Sequence, residues 1–290
     1  MLKTAIAHAD LYKVYGDKES LKIIKDCGFD GVDYGLNAFQ YEDDFILLKS
    51  DEEIKAYFTD VKEYCASIGL DIAHTHSPYY FAMEADKFFE EHYQNIFKNA
   101  IKATHYLGVD TIVIHAIVLP DHENNYKKNR DINVAFYTGL LPTMKEYGVK
   151  VAVENMDALD PVKKVSGPSP ISSAEKILDL IDHLNDDMFV ACFDTGHAYA
   201  ASQEPSHMLE LLGDKTKVLH LHDNDGLDDL HLPPTFGQIN WNKFCKTLKE
   251  TGFSGYVNME VNLFHTGENN MKEMCALLSA IARMFVNKAK

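Results

Sequence analysis

The stretch Leu107-Gly-Val-Asp-Thr-Ile-Val-Ile-His115 joins the end of an amphipathic segment to a glycine and then to a short apolar run that stops at a histidine. The same order recurs in Cys27-Gly-Phe-Asp-Gly-Val-Asp33 and in Thr251-Gly-Phe-Ser-Gly-Tyr-Val257. Glycine commonly follows a helix, and runs rich in Val and Ile are typical of strands buried on both faces. The stretch therefore predicts a helix-turn-strand unit that repeats along the chain.

Eight such apolar runs are spread along the chain, and amphipathic segments separate them. The predicted strands are Thr4–His8, Gly31–Gly35, Asp71–His76, Thr111–His115, Val149–Glu154, Phe189–Phe193, Val218–His222 and Gly255–Glu260. Helices are predicted at Glu52–Ser67, Ala85–Leu107, Ser173–Leu184 and Lys272–Val286. This alternation predicts an α/β fold, a (β/α)8 TIM barrel in a single domain over residues 1–290. A doubly wound open sheet is the alternative, but the lack of a glycine-rich phosphate loop favours a closed barrel.

Composition and charge limit the classes of protein to which this chain can belong. Of the 290 residues, 46% are hydrophobic and 25% are charged, which is ordinary for a globular protein and excludes a disordered or collagen-like chain. The net charge is −16, from 44 acids and 28 bases, and Arg130 and Arg283 are the only arginines. A surface that binds a nucleic-acid duplex is normally basic and rich in arginine, so the charge argues against a nucleic-acid partner.

The cysteines and the chain's start favour a cytoplasmic location. The five cysteines are widely spaced and form no CxxC motif, which predicts free thiols in a reducing compartment. The first residues lack the apolar stretch of a signal peptide, and no run approaches the length of about 18 apolar residues typical of a membrane span. We therefore expect a cytoplasmic protein that does not enter a membrane.

A histidine or a carboxylate stands at the C-terminal end of each predicted strand. In chain order these residues are His8, Asp33, His74 and His76, His115, Glu154, Asp194, His220 and His222, and Glu260. A parallel barrel presents these strand ends to one face, where active sites of this fold lie. Imidazoles and carboxylates are the ligands that Zn²⁺, Mn²⁺ and Co²⁺ prefer, and burying several unpaired carboxylates together is costly without a cation. The pattern predicts a divalent-metal site.

The sharpest local patterns lie in the second half of the chain. They are Val-Glu154-Asn-Met, Asp194-Thr-Gly-His197, His220-Leu-His222-Asp223-Asn-Asp225, Asp229-Leu-His231 and Met-Glu260-Val-Asn. With this ordered series the chain resembles the xylose isomerase-like barrel superfamily over essentially its whole length. Members of that superfamily include sugar phosphate isomerases and epimerases, ketose 3-epimerases and endonuclease IV.

The resemblance implies two nested sets of metal ligands. In the epimerases a single divalent ion is held from the fifth to the eighth strands, which corresponds here to Glu154, Asp194, His220 and Glu260. His222 with Asp225 fits the His-x-x-Asp spacing as well, although His220 with Asp223 matches the family's string directly. Endonuclease IV holds three zinc ions, and its wider set implies possible additional ligands at His76, His115, His197, Asp229 and His231.

Two departures from the nuclease pattern favour a small-molecule enzyme. The nuclease Gly-Glu-Gly is replaced by Thr235-Phe-Gly-Gln238, and the loop Gly35-Leu-Asn-Ala-Phe-Gln40 has neither Arg nor Lys. We therefore expect a metal-dependent sugar or sugar-phosphate isomerase or epimerase, with Zn²⁺, Mn²⁺, Co²⁺ or Mg²⁺ as cofactor. The alternatives are an endonuclease IV-like enzyme that cuts abasic DNA and a non-catalytic sugar-binding barrel. The resemblance also makes a homodimer or homotetramer plausible.

Each group receives an expected role from its residue type. Glu154 and Glu260 would move protons beside the substrate carbonyl through an enediolate that the ion stabilises. His76, His197 and His222 would bind sugar hydroxyls. Residues that could wall the pocket are Tyr79, Tyr80, Phe236 and Trp241, with ordinary packing as the alternative for each.

Three further segments carry weaker expectations. Asp121–Arg130 is predicted to be a solvated loop whose Lys127, Lys128 and Arg130 could reach a substrate phosphate. Pro161–Pro170 is predicted to be a long loop after the fifth strand. His8 and Asp33 either contact substrate or anchor the rim of the barrel.

Overall fold

The computed structural model describes residues 1–40, 42, 44–80, 83–119, 125–160 and 163–290. Eight of its strands are β1 (Lys3–Ala7), β2 (Gly31–Gly35), β3 (Asp71–His76), β4 (Thr111–Ile114), β5 (Lys150–Glu154), β8 (Phe189–Asp194), β9 (Thr216–Leu221) and β10 (Tyr256–Met259). They are parallel and form a closed barrel in the order β1-β10-β9-β8-β5-β4-β3-β2. Two short strands, β6 (Asp157–Leu159) and β7 (Ser166–Pro168), pair as an antiparallel hairpin. The predicted TIM barrel is confirmed.

Helices surround the barrel and alternate with its strands. They are α1 (Ala9–Tyr15), α2 (Asp17–Asp26), α3 (Asp51–Ile68), α4 (Glu91–Leu107), α5 (Tyr126–Tyr147), α6 (Ala174–Leu184), α7 (Thr195–Ala200), α8 (Pro205–Leu212), α9 (Trp241–Glu250) and α10 (Met271–Lys288). Gly108 follows α4 in the left-handed conformation, with φ of 82°, which lets the chain turn sharply into β4. None of the helices in the described part of the chain combines the length and hydrophobicity that a membrane crossing requires.

Two apolar clusters separate the two faces of the barrel wall. The large cluster includes Ile112, Ile114, Val151 and Val153 and packs the strands against the helices. The small cluster holds the alternate residues Val113, Ala152, Val190, Cys192 and Val218. Because side chains alternate along a strand, residues two positions further on share the face of this small cluster. This inner face is the one that carries Glu154, Asp194 and His220.

Two segments predicted as loops contain regular structure. The segment Pro161–Pro170 includes β7, whose pairing with β6 was missed because the strands are only three residues long. The segment Asp121–Arg130 includes the first turn of α5, which begins at Tyr126. Residues 121–124 and 161–162 lie outside the described residues.

Two other expectations concern a helix and the thiols. The predicted helix Ala85–Leu107 is divided into a short 3₁₀ turn at Ala85–Phe89 and α4, which begins at Glu91. All five cysteines are free, as expected, and all but Cys27 are buried.

Candidate metal centre

The polar residues predicted at the strand ends meet at the C-terminal mouth of the barrel. Glu154 ends β5, Asp194 ends β8, and His220 lies one residue before the end of β9. All three side chains are fully buried. Glu260 follows β10 directly, and its side chain is 21% exposed. The closed barrel therefore brings together carboxylates and imidazoles from strands far apart in the sequence.

Glu154 occupies the middle of one group of ligand-type side chains. Its Oε1 lies 2.9 Å from Nδ1 of His220, and the same nitrogen lies 2.8 Å from Oε2 of Glu260. The other oxygen, Oε2, lies 3.1 Å from Nε2 of His115 and 3.5 Å from Nε2 of His76. Glu154 thus faces imidazoles from β3, from the residue after β4 and from β9.

A second group lies beside the first, around Asp194 and the loop after β9. Oδ1 of Asp194 lies 2.9 Å from Nε2 of His222. Asp229 Oδ2 lies 3.3 Å from Nε2 of His197 and 3.1 Å from Nε2 of His231. His197 joins the two groups, because its Nδ1 lies 3.5 Å from Asp194 Oδ1 and 3.6 Å from Glu154 Oε1.

The donor atoms of both groups fit a divalent cation. Among the described residues, buried oxygens of Glu154, Asp194, Asp229 and Glu260 have no hydrogen-bond partner. Facing atoms within the groups lie 2.8–3.7 Å apart. Ligands of a tetrahedral ion with bonds of about 2.0–2.1 Å lie roughly 3.3 Å from one another, so an ion would fit between these atoms. The mixed nitrogen and oxygen set suits zinc, manganese or cobalt.

The pKa shifts at the site indicate that a bound cation would replace protons on the imidazoles. Burial raises the pKa of Glu154, but the imidazoles of His220, His115 and His76 together outweigh burial and hold that pKa well below its usual value. The pKa of Glu260 is lowered in the same way, by His220 against burial. Burial lowers the pKa of His231, but the charge and hydrogen bond of Asp229 and the charge of Glu260 together outweigh it and raise the pKa to about 10. Without a metal, protons on the imidazoles balance the carboxylates.

The four metal ligands that the resemblance to the epimerases implies do not all face one another in the structure. Glu154, His220 and Glu260 face one another directly, whereas Asp194 faces His222 and His197. His76 and His115 contact Glu154, and His231 contacts Asp229, so every additional ligand candidate lies within one of the two groups. Which of these side chains hold an ion stays a prediction.

The aromatic residues predicted to wall the pocket differ in position. Tyr79 stacks on His115 with ring centroids 5.2 Å apart, and it meets His76 edge-on. Tyr80 packs against Tyr93 and Phe97, as in an ordinary core. Phe236 is exposed at the surface. Trp241 is buried; it donates a hydrogen bond to Asp223 and stacks on Phe285.

The remaining sequence candidates lie around the site rather than in it. His8 is fully buried, accepts a hydrogen bond from the backbone N–H of Gly35 and stacks on Tyr34, and burial lowers its pKa. This placement fits an anchor of the barrel rim. Arg130, one of the predicted phosphate contacts, pairs instead with Asp131 and Asp179.

Sequence reasoning missed two residues that shape the site. A Cβ atom on Gly196 would lie 1.9 Å from Cε1 of His222, so only glycine lets this ring approach Asp194. The second is Asp223, whose two oxygens accept hydrogen bonds from Trp241 and from the backbone N–H groups of Asn224, Thr235 and Ile239. The small residue in Asp-Thr-Gly-His was the available signal for Gly196.

Comparison with curated proteins gives partial matches. The chain is 29% identical to an uncharacterized protein of Methanocaldococcus jannaschii over 56% of this chain and 54% of that protein. It is 25% identical to the inosose isomerase of Bacillus licheniformis over 57% of this chain and 58% of the isomerase. The chain therefore spans little more than half the length of these two relatives.

Solved structures match over nearly the whole chain. A D-tagatose 3-epimerase-like protein superposes with a TM-score of 0.73 and 22% identity, covering 98% of this chain and 99% of the other. The IolI protein with a bound zinc atom superposes with a TM-score of 0.73 and 18% identity, covering 99% of both chains. At these identities the match establishes the fold.

The family match covers the mouth of the barrel and all of its strands except β1. The family model described as the xylose isomerase-like TIM barrel matches residues 21–281, which contain every residue of the two ligand groups. The chain belongs to the xylose isomerase-like TIM barrel family.

Proposed function

We propose that this protein is a divalent-metal-dependent isomerase or epimerase that acts on a sugar or sugar phosphate. The observation that carries the proposal is the pair of carboxylates beside one imidazole nitrogen: Glu154 and Glu260 lie 2.9 and 2.8 Å from Nδ1 of His220. These carboxylates come from β5 and the end of β10, which β8 and β9 separate in the barrel. A substrate bound beside them could exchange protons with either carboxylate.

The chain's own residues have distinct roles in this reaction. Glu154, Asp194, His220 and Glu260 would hold the ion, which when bound would polarise the substrate carbonyl and stabilise negative charge on its oxygen. The lowered pKa values of Glu154 and Glu260 keep both carboxylates ionised, which is the form that can bind a cation. Epimerisation would use both, one removing a proton and the other returning one to the opposite face. Isomerisation would move a proton between adjacent carbons.

The rest of the mouth would bind the substrate. His76 lies beside Glu154 and meets Tyr79 edge-on, His197 lies beside Glu154 and Asp194, and His222 lies beside Asp194. Imidazoles can hydrogen-bond sugar hydroxyls, and the face of Tyr79 offers an apolar wall. The names of the inosose isomerase and the D-tagatose 3-epimerase-like protein support a cyclic or open-chain ketose as the substrate class. The zinc in IolI supports a metal at this mouth.

Hydrogen exchange tests the proposal whichever epimer or isomer is the product. Protein purified without chelators and loaded with Zn²⁺, Mn²⁺ or Co²⁺ would be incubated in D₂O with ketoses, inososes and ketose phosphates. We expect deuterium to enter the carbon beside the carbonyl of at least one substrate, together with a new epimer or isomer. Metal-loaded protein that exchanges no substrate in such a panel would contradict the proposal.

Conservative changes at the two carboxylates give the matched variants. We expect Glu154→Gln and Glu260→Gln each to lower kcat by roughly 10²–10⁴-fold, the usual contribution of a positioned acid or base. Glu250→Gln is the control, since that side chain is 61% exposed on α9. A non-catalytic sugar-binding barrel would show no turnover to lose and would keep its sugar affinity in Glu154→Gln.

A second candidate, an abasic-site endonuclease, is favoured by one observation. His197, His222, Asp229 and His231 form a group of ligand type beyond the one around Glu154, as a multinuclear site requires. Three zinc ions per chain and incision of abasic duplex DNA would support the nuclease. One ion per chain and no incision would reject it, and the net charge of −16 favours that outcome.

A further inference from the structure

A layer of polar side chains lies inside the barrel next to the metal centre. Asp33 on β2 and His74 on β3 are 1% and 3% exposed. Both face His220: its Nε2 lies 3.3 Å from Nε2 of His74 and 3.8 Å from Oδ2 of Asp33. The interior of such a barrel is normally filled by branched apolar side chains, so a carboxylate and an imidazole at this depth call for a reason.

The two nitrogens of His220 face different surroundings. Nδ1 faces the carboxylates of Glu154 and Glu260, whereas Nε2 faces Asp33 and His74. A neutral imidazole carries one N–H and one free lone pair, and only the nitrogen with the lone pair can bind a cation. For Nδ1 to bind an ion, the proton must be on Nε2, and that buried N–H needs an acceptor.

His74 and Asp33 are the groups that face this N–H: Nε2 of His74 lies 3.3 Å away and can accept it, and the negative charge of Asp33 lies 3.8 Å away, beyond hydrogen-bond distance. Oδ2 of Asp33 already accepts a hydrogen bond of 3.2 Å from Asn258, which fixes the carboxylate. Its Oδ1 has no hydrogen-bond partner among the described residues and lies 3.5 Å from Nε2 of His74. With its Nε2 lone pair toward His220, His74 accepts that proton, and the negative charge of Asp33 favours an N–H over a lone pair on the facing nitrogen of His220.

We propose that Asp33, together with His74, is a positioning residue that holds His220 with its proton on Nε2 and its Nδ1 lone pair directed at the metal. The inference rests on the proposed function only in that it takes the ion to lie beside Glu154, His220 and Glu260. It adds that the affinity for the ion is set partly from inside the barrel, by residues that never touch the ion or the substrate.

The test compares metal affinity with the stability of the metal-free protein. Asp33→Asn keeps the shape of the side chain but removes the negative charge that lies beside Nε2 of His220. We expect the affinity for Zn²⁺ and Co²⁺, measured by competition with a chromophoric chelator, to fall roughly 10–100-fold, as for other residues that orient a metal ligand. The visible spectrum of the cobalt-loaded protein should also change. Thermal unfolding of the metal-free variant reports any purely structural effect.

A second variant and a control keep the test decisive. His74→Gln removes the other neighbour of Nε2 and should weaken metal binding in the same direction, which matters if Asp33→Asn does not fold. Thr75→Val is the control, because Thr75 is buried on the same strand and its hydroxyl contacts Thr104, away from the site. We expect its metal affinity to match that of the wild type.

The outcomes separate this inference from the proposed function. Wild-type protein that binds metal, with Asp33→Asn and His74→Gln binding equally well, would overturn the inference alone. Loss of one whole ion per chain in Asp33→Asn would also overturn it, since Asp33, His74 and His220 would then be ligands of an inner ion. Wild-type protein without affinity for any divalent cation would reject the proposed function and this inference with it.

Discussion

Gly196 shows how one residue without a side chain determines the geometry of the second ligand group. It lies between Asp194 and His197 at the start of α7. The ring of His222 occupies the space beside it, because a Cβ atom on Gly196 would lie only 1.9 Å from Cε1 of His222. His222 in turn lies 2.9 Å from Asp194. The strand-to-helix turn therefore supplies two ligand candidates and leaves room for a third.

Gly196→Ala should displace His222 without unfolding the barrel. Because a misplacement of about 1 Å in an active site costs on the order of 10²-fold in rate, we expect a loss of that size in kcat/KM and fewer bound ions. Gly139→Ala in α5 is the matched control, because its nearest neighbour is the flexible end of Gln94 at 3.4 Å. Full activity and unchanged metal content in Gly196→Ala would show that the position of His222 does not matter.

At the scale of elements, the loop after β9 is positioned by its own hydrogen bonds. Asp223 accepts from Trp241 at 2.7 Å, from the N–H of Thr235 at 3.0 Å and from the N–H of Ile239 at 3.1 Å. The hairpin of β6 and β7 supports the same loop, because the N–H of Ser166 donates to the carbonyl of Leu227. Asp229 and His231 are carried by this loop, so their positions depend on both contacts.

Asp223→Asn should loosen that loop. An amide replaces one accepting oxygen with a donor that faces other donors, so we expect a loss of about 1–3 kcal/mol in the free energy of unfolding. Metal binding that depends on Asp229 and His231 should weaken as well. Asp228→Asn, an exposed change in the same loop, is the control for urea unfolding and metal analysis. Unchanged stability in Asp223→Asn would show that the loop is held by other contacts.

For the whole molecule, the site accounts for part of the acidic charge. Glu154, Asp194, Asp229 and Glu260 face imidazoles at the barrel mouth, which a cation would join. Both arginines pair with carboxylates, Arg130 with Asp179 and Arg283 with Asp30. The negative charge that remains gives a DNA backbone little to bind, whereas an uncharged sugar is unaffected by it.

The pH dependence of metal binding follows from the imidazoles. Against burial, Asp229 and Glu260 raise the pKa of His231 from 6.5 to about 10. A group whose pKa is higher in the folded than in the unfolded protein stabilises the fold fully at a pH below its unfolded pKa. That stabilisation is lost as the pH rises through the folded pKa. The metal-free protein therefore loses the contribution of His231 between pH 6.5 and about 10. A bound cation displaces the same protons. The rise in Tm caused by zinc should therefore be larger at about pH 8 than at about pH 6.

Calorimetry or fluorescence melting with and without zinc measures this difference. Asp229→Asn is the control: it removes the charge that raises the pKa of His231, so the change in the zinc effect with pH should be smaller. A zinc effect that is constant or decreases over this range would contradict a site built from these imidazoles.

The repeated helix-turn-strand units and the strand-end residues were readable from the sequence, because local patterns of hydrophobicity and glycine fix them. The resemblance added the ordered ligand series. Two-residue alternation placed His220 and His222 on one face of β9 but could not say which carboxylate each imidazole meets. Likewise, the strands β6 and β7 are too short to show an alternation of apolar and polar residues that would predict them.

The sequence by itself determined the barrel and the chemical types of side chain at its mouth, because both follow from local periodicity. Only the tertiary structure decided the partners: Asp194 beside His222, Glu154 and Glu260 on one nitrogen of His220, and Asp33 on the other. The physical reason is that these contacts join strands that lie far apart in the sequence; Asp33 and Asn258, for example, are 225 residues apart. Closure of the barrel, rather than any local pattern, sets the distances between them.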